Sequence, residues 1–185
     1  MEIEDINPHL KSLTKSIKLL ALDVDGVLTD GKIYLNNDSE EQKTFNIYDG
    51  FGIKLLQEHG IKVALITGRK SKVLTYRAKE LKIRHVIQGR EDKLTALQEL
   101  LSDINYSIEE TAYMGDDFPD LRAITASKLG ATTPIADPII KKHADWISSK
   151  KGGEGAVREL ADLILRGKEI RSDALKKYMP LCKKK

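Results

Sequence analysis

The 185-residue chain is 41% hydrophobic and 32% charged, which suits one soluble globular domain with a sizeable core and excludes a disordered polyelectrolyte. No apolar run approaches a membrane span, Glu2, Glu4 and Asp5 are unlike a signal peptide, and the single Cys182 excludes an internal disulfide and argues against cysteine-ligated zinc, so a reducing, cytoplasmic setting is expected. The formal charge of +3 is uneven: Arg166 to Lys185 holds eight Lys/Arg against Glu169 and Asp173, a balance of +6, so the other 165 residues carry 23 basic and 26 acidic side chains, or −3. Such a basic end could attract an anionic small molecule or a nucleic acid, but the lack of aromatic interleaving beyond Tyr178 disfavours nucleic acid, and residues 167–185 read as a solvated tail.

Residues 1–16 form a lead-in with a short helix after Pro8. The apolar run Ile17 to Leu22 has the length and composition of a buried parallel strand. It ends in two carboxylates, Asp23 and Asp25, which alternation along an extended chain puts on one side of the backbone. A bound divalent cation would relieve their repulsion, and Gly26 suits a turn away from the strand end. Next come two β-prone runs, Lys32 to Leu35 and Gln42 to Tyr48, around a polar Asn36–Ser39 turn, predicting a β-hairpin within residues 31–48. Ile33, Leu35, Phe45 and Ile47 are expected to share one face of it, packed on the domain or on another subunit.

From there strands and helices alternate. Helix Ile53 to Glu58 stops at Gly60, and strand Lys62 to Ile66 ends at Thr67-Gly68-Arg69. Helix Lys72 to Leu81 precedes a short strand, His85 to Ile87, and Asp92 is placed to cap a helix reaching about Leu101. Strand Glu110 to Met114 ends in Gly115-Asp116-Asp117, and Pro119 opens a short helix. Strands Leu129 to Thr132 and Ala144 to Ile147 surround a helical turn near Pro138, and amphipathic helix Glu154 to Leu165 closes the globule. The pattern predicts an α/β fold with a doubly wound, Rossmann-like parallel sheet in a single domain, residues 1–166.

Polar residues recur where these strands stop. Asp23 and Asp25 follow the first, Thr67 and the Gly68 amide the second, and Asp116, Asp117 and Asp120 a later one, while Lys93 opens a helix between them. Each has an ordinary structural use: Thr67, Asp116 and Asp117 as helix caps, Lys93 as a solvated lysine. In a parallel sheet, however, the strand ends lie along one edge, so an acid pair, a hydroxyl, an ammonium and a second acid cluster converge there. That inventory suits phosphoryl transfer, which needs a nucleophile, a cation and donors around the transferred oxygens.

Asp23-Val-Asp-Gly, Ile66-Thr-Gly, Lys93 and Gly115-Asp-Asp-Phe-Pro-Asp, in that order over roughly residues 17–160, resemble the haloacid dehalogenase superfamily of phosphatases. Phe45-Asn-Ile-Tyr-Asp-Gly-Phe-Gly, Gln88-Gly-Arg-Glu-Asp-Lys and Gly152-Gly-Glu-Gly-Ala-Val-Arg-Glu are most similar to its capless branch acting on 3-deoxy-D-manno-octulosonate 8-phosphate. The resemblance implies that Asp23 is the nucleophile, that Asp25 is the general acid and base, and that Mg²⁺ is held by Asp23, the Asp25 carbonyl and Asp116. It implies that Thr67, the Gly68 amide and Lys93 gather the phosphate oxygens and that Asp117 and Asp120 orient Lys93 or metal-bound waters.

The same resemblance implies that the hairpin replaces a cap domain and builds a homotetramer in which a neighbouring subunit covers the site. Arg69 and Arg77 match arginines that can hold a sugar carboxylate, although Arg77 also reads as an exposed helix residue. A mobile C-terminal segment could then act as a lid. Tyr48 stands where many relatives carry a basic residue, which leaves a nine-carbon sialic-type acid phosphate as the alternative substrate. From other classes, a phospho-receiver domain is disfavoured because the acidic cluster at Asp116 follows Lys93, and an inactive scaffold is disfavoured by the complete catalytic set.

Overall fold

The computed structural model describes residues 6–179; Cys182 and the last lysines of the basic segment lie outside them. Six strands form one parallel sheet: β1 (Leu19–Leu22), β4 (Lys62–Thr67), β5 (His85–Gln88), β6 (Thr111–Met114), β7 (Leu129–Thr132) and β8 (Trp146–Ile147), in the order β5-β4-β1-β6-β7-β8. Strands β2 (Tyr34–Leu35) and β3 (Glu41–Gln42) make a separate antiparallel hairpin. Eight helices complete the described chain: α1 (Pro8–Thr14), α2 (Ile47–Glu58), α3 (Lys72–Glu80), α4 (Lys93–Ile104), α5 (Leu121–Ala126), α6 (Pro138–His143), α7 (Ala156–Gly167) and α8 (Arg171–Leu175).

The sheet is buried on both faces, which is why its strands read as continuous apolar runs. Leu20, Leu22, Val63, Leu65 and Met114 point to a layer containing Ile53, Leu56, Leu160 and Ile164 of α2 and α7. Leu19, Ala21, Ala64, Ile66 and Tyr113 point the other way, onto Leu97, Leu100 and Ile124 of α4 and α5. From β1 the chain moves outward through β4 to β5, then crosses back to place β6 on the other side of β1. The direction of winding therefore reverses between β1 and β6, and the crevice at that reversal is where ligands of doubly wound sheets bind.

Several local expectations are corrected. The run Gln42 to Tyr48 is not one strand: only Glu41 and Gln42 pair with β2, and Ile47 and Tyr48 begin α2. Asn46, whose Oδ1 accepts the Tyr48 amide at 2.8 Å, is a helix cap and outweighs the strand preference of the residues after it. The shared apolar face does not form: Phe45 packs against the core, whereas Ile33, Leu35 and Ile47 are 62%, 63% and 73% exposed. Asp92 sits at the cap position of α4 but makes no cap bond, because both its carboxylate oxygens take the Arg90 guanidinium at 2.7 Å.

The described part of the basic segment packs on its own domain: Ala174 is buried, Ile170 and Leu175 join the core, and Tyr178 meets Phe51 edge-on at 5.3 Å between ring centroids.

Candidate active site

Asp23 is the first residue beyond β1, and its amide still donates to the Met114 carbonyl of β6 at 2.9 Å, so the sheet itself aims it into the crevice. Gly26 turns the chain immediately afterwards with a φ of +93°, and a Cβ there would lie 2.0 Å from Asp116 Oδ2. A glycine is thus required both by the left-handed backbone and by the approach of the second acid cluster. Gly152 seals the turn from behind, since its Cβ would stand 1.8 Å from the Gly26 carbonyl oxygen.

Lys93, the first residue of α4, reaches the crevice from the other side of the sheet's edge. Its Nζ donates to Asp23 Oδ1 at 2.7 Å and to Asp120 Oδ1 at 2.9 Å, with the side chain only 5% exposed. Burial would depress the ammonium, but Asp23 and Asp120 outweigh it and hold it above its ordinary value. Asp120 is fully employed: Oδ1 also accepts the Tyr113 hydroxyl at 2.6 Å, and Oδ2 accepts the amides of Asp116 and Asp117 at 3.3 and 3.4 Å.

The carboxylate oxygens of Asp23, Asp116 and Asp120 lie within 4.8 Å of one another. Asp120 is the poor member of that trio as a cation ligand, because its lone pairs are already committed to Lys93, Tyr113 and two amides. Asp116 is the reverse case, with a buried Oδ1 that has no hydrogen-bond partner. Burial first, then repulsion from Asp23 and Asp120, pushes the Asp116 carboxyl up to about 8. Burial and Asp120 likewise push Asp23 up, to about 7, against the pull of Lys93. A crowded, under-neutralised set of carboxylate oxygens fits a hard divalent cation, with Asp23 and Asp116 as its side-chain ligands.

Thr67 and Gly68 close β4, the neighbour of β1. Thr67 is buried and does not cap α3; Ser71 does, with its Oγ accepting the Leu74 amide at 3.3 Å. Thr67 Oγ1 instead accepts the Arg69 amide at 3.2 Å. Asp117 is exposed and caps the short turn after it, its Oδ1 accepting the Phe118 amide at 2.8 Å. Of the two residues expected to orient Lys93 or metal-bound waters, Asp120 contacts the lysine and Asp117 does not.

Asp25 Oδ1 accepts a hydrogen bond from Lys43 Nζ, and Arg69 Nε lies 4.0 Å from Oδ2. Arg69 also donates to Glu41 Oε1 at 3.1 Å and is half exposed on the crevice rim. Arg77 is not brought to this group: its guanidinium donates to Glu80 Oε2 at 2.8 Å and the Asn46 carbonyl at 3.4 Å, and lies over the Phe45 ring. It is neither an exposed helix residue nor a neighbour of Asp23; it ties α3 to the start of α2.

Sequence reasoning missed Lys43, Glu41, Ser71 and Tyr113. The only sign of Lys43 was a lysine interrupting the second β-prone run, and a buried strand tyrosine gives no sign at all.

Residues 85–160 match the family model described as haloacid dehalogenase-like hydrolase. The chain is 43% identical over 162 residues, 86% of its own length and 85% of the relative's, to the 3-deoxy-D-manno-octulosonate 8-phosphate phosphatase of Salmonella typhimurium. It is 46% identical over 150 residues, 81% and 80% of the two chains, to the Yersinia pestis phosphatase of the same name. Among solved structures, it matches the Moraxella catarrhalis phosphatase in complex with magnesium ion, phosphate ion and KDO molecule, with a TM-score of 0.91 and 41% identity over 92% of this chain and 98% of that one. The cobalt-bound Haemophilus influenzae deoxy-D-mannose-octulosonate 8-phosphate phosphatase matches at a TM-score of 0.82 and 38% identity, over 85% and 92%.

Proposed function

The chain belongs to the haloacid dehalogenase-like phosphatases, in the branch of the 3-deoxy-D-manno-octulosonate 8-phosphate phosphatases, and from that membership we propose that its crevice hydrolyses this eight-carbon keto sugar acid phosphate to the free sugar acid and phosphate. The observation that carries the reading is the buried Lys93 ammonium shared by Asp23 and Asp120, beside an Asp116 oxygen with no partner. Three chain segments, after β1, at the start of α4 and after β6, converge there on the chemistry of phosphoryl transfer.

In this mechanism an Asp23 carboxylate oxygen attacks phosphorus, forming an aspartyl-phosphate as the bond to the sugar oxygen breaks. Asp25 gives its proton to that leaving oxygen, then takes one from the water that attacks the intermediate and releases phosphate. Lys93, the Thr67 hydroxyl and the Gly68 amide hold the equatorial oxygens as charge spreads over them. Asp23, Asp116 and the Asp25 main-chain carbonyl would hold Mg²⁺, which when bound neutralises charge on the phosphoryl oxygens. Asp120 keeps Lys93 in place. Arg69, on the rim, is suited to the sugar carboxylate. Arg77 belongs to the α2–α3 junction in this chain.

The exposed Ile33 and Leu35 of the hairpin, with Ile47 and Tyr48 at the start of α2, support assembly into a tetramer in which a neighbouring subunit covers the crevice. No described helix is long and apolar enough to cross a membrane, in keeping with a cytoplasmic enzyme in lipopolysaccharide precursor synthesis.

Replacing Asp23 by Asn is expected to abolish phosphate release while leaving the melting curve cooperative. Turnover by a clean Asp23→Asn preparation would refute the mechanism. Steady-state comparison of eight- and nine-carbon keto acid phosphates tests the substrate, and a higher kcat/KM for the nine-carbon compound would transfer the assignment to it.

A further inference from the structure

The hairpin is held over the crevice by charge. Its two strands pair over only two residues each, and Leu35 at their centre is exposed, so packing contributes little to holding it there. Instead Lys43, just after β3, turns inward. Its side chain is 4% exposed, and its ammonium donates to Asp25 Oδ1 while lying 3.4 Å from Glu41 Oε1. Glu41 is in turn tied to the loop after β4, accepting Arg69 at 3.1 Å on Oε1 and the Ser71 hydroxyl at 2.5 Å on Oε2. Two acids and two bases thus form a neutral cluster with Lys43 at its buried centre.

We infer that Lys43 is the positioning residue of the general acid. Asp25 follows the sheet by three residues and its carboxylate is partly open to solvent, so neither β1 nor core packing selects its rotamer. The Lys43 ammonium does, by holding one carboxylate oxygen, while the other lies 4.0 Å from Arg69 Nε. The hairpin is therefore part of the catalytic apparatus of its own subunit, apart from any role in assembly. Lys43 itself touches neither nucleophile nor phosphate; it acts through Asp25. The inference rests on the acid–base role proposed for Asp25.

The test compares the first-turnover release of the alcohol by Lys43→Met and wild type on two esters in saturating Mg²⁺, because the later hydrolysis of the aspartyl-phosphate, in which Asp25 acts as base, is common to both esters. An alkyl phosphate, the sugar acid substrate, needs a proton on its leaving oxygen. p-Nitrophenyl phosphate does not, because nitrophenolate departs unprotonated. General acid catalysis is worth roughly 10²- to 10⁴-fold, so misplacing the acid is expected to lower the maximal first-turnover rate on the sugar phosphate by about 10- to 100-fold with half-saturation little changed, and on the nitrophenyl ester by less than about threefold. In an Asp25→Ala background the same change should cost less than about twofold on either ester, as expected of two residues acting as one unit.

Equal first-turnover losses on both esters, a weakened half-saturation with the maximal first-turnover rate intact, or a further loss in the Asp25→Ala background would each overturn the inference. Should Lys43→Met fail to fold, Lys43→Gln, which is shorter and uncharged, is expected to show a smaller loss confined to the sugar phosphate, and a loss shared equally by both esters would overturn the inference. A wild-type protein that hydrolyses neither ester would instead defeat the proposed function itself, so the two failures are distinct.

Discussion

Replacing Lys93 by Met removes a charge while keeping most of the side chain's length. The ammonium is nearly sealed from solvent, and its two partners, Asp23 and Asp120, have side chains only 10% and 1% exposed. Deleting one member of a buried ionic group leaves uncompensated charge and costs about 3–5 kcal/mol. Two charge-assisted hydrogen bonds, at roughly 1.5–3 kcal/mol each, give a similar range.

The cost is pH-dependent, because Asp23 already titrates near 7 through burial and Asp120, and without Lys93 it takes up a proton more readily. The metal-free variant should therefore melt about 10 °C below wild type at pH 8.5, with a smaller gap at pH 6. Saturating Mg²⁺ should narrow the gap at high pH by supplying the missing positive charge. Phosphate release should fall by about 10²- to 10³-fold, the usual cost of one preorganised charge at a developing oxyanion. Differential scanning calorimetry at the two pH values, with and without Mg²⁺, checks the stability part. A melting point within 2 °C of wild type at pH 8.5 would show that the ammonium pairs with neither carboxylate, and the account of the crevice would fall with it (the 2 °C bound being under about 1 kcal/mol).

Because the Asp116 carboxyl is raised from 3.8 to about 8 and that of Asp23 to about 7, their stabilising contribution is fully present only below the unfolded carboxylate value and is lost progressively as pH rises from about 4 to about 8. The metal-free protein should lose melting temperature over that window while the Mg²⁺-saturated protein does not. Mg²⁺ binding at pH 7 should accordingly release protons and tighten with pH, and calorimetric heats that do not vary with buffer ionisation enthalpy would refute this. Gly152→Ala drives a Cβ to 1.8 Å from the Gly26 carbonyl; it should destabilise by roughly 1–3 kcal/mol or more and impair turnover by shifting the Asp25 turn, and a wild-type melt would refute the close approach. Light scattering at micromolar concentration should report a tetramer; a monomer alone would remove the assembly proposal.

The legible parts of this chain were those written locally. The four-residue core of β1, the carboxylates directly after it, Gly26, and the Thr67-Gly68 and Asp116-Asp117 strand ends all lie within a few residues of the signal that announces them. Boundaries failed where two local preferences competed. Ile47 and Tyr48 have strand-forming side chains but stand after Asn46, and the cap prevailed once α2 could bury Ile53, Leu55 and Leu56. Asp92 occupies the right position for a cap, yet a bidentate guanidinium from Arg90 is the stronger partner.

By itself, the sequence determined which strands of the main sheet would exist, that these would run parallel, and that an acid pair, a hydroxyl and a second acid cluster would stand at their ends, since period, apolar content and turn residues are properties of neighbouring positions. Only the tertiary structure decided the contacts among those groups: Asp120 on Lys93, Asp117 capping the turn after it, Arg77 bracing two helices, Lys43 reaching back to Asp25. Each of those outcomes depends on how far a side chain is buried and on which partner from a distant segment reaches it first, and neither quantity exists until the winding reversal between β1 and β6 brings the segments together.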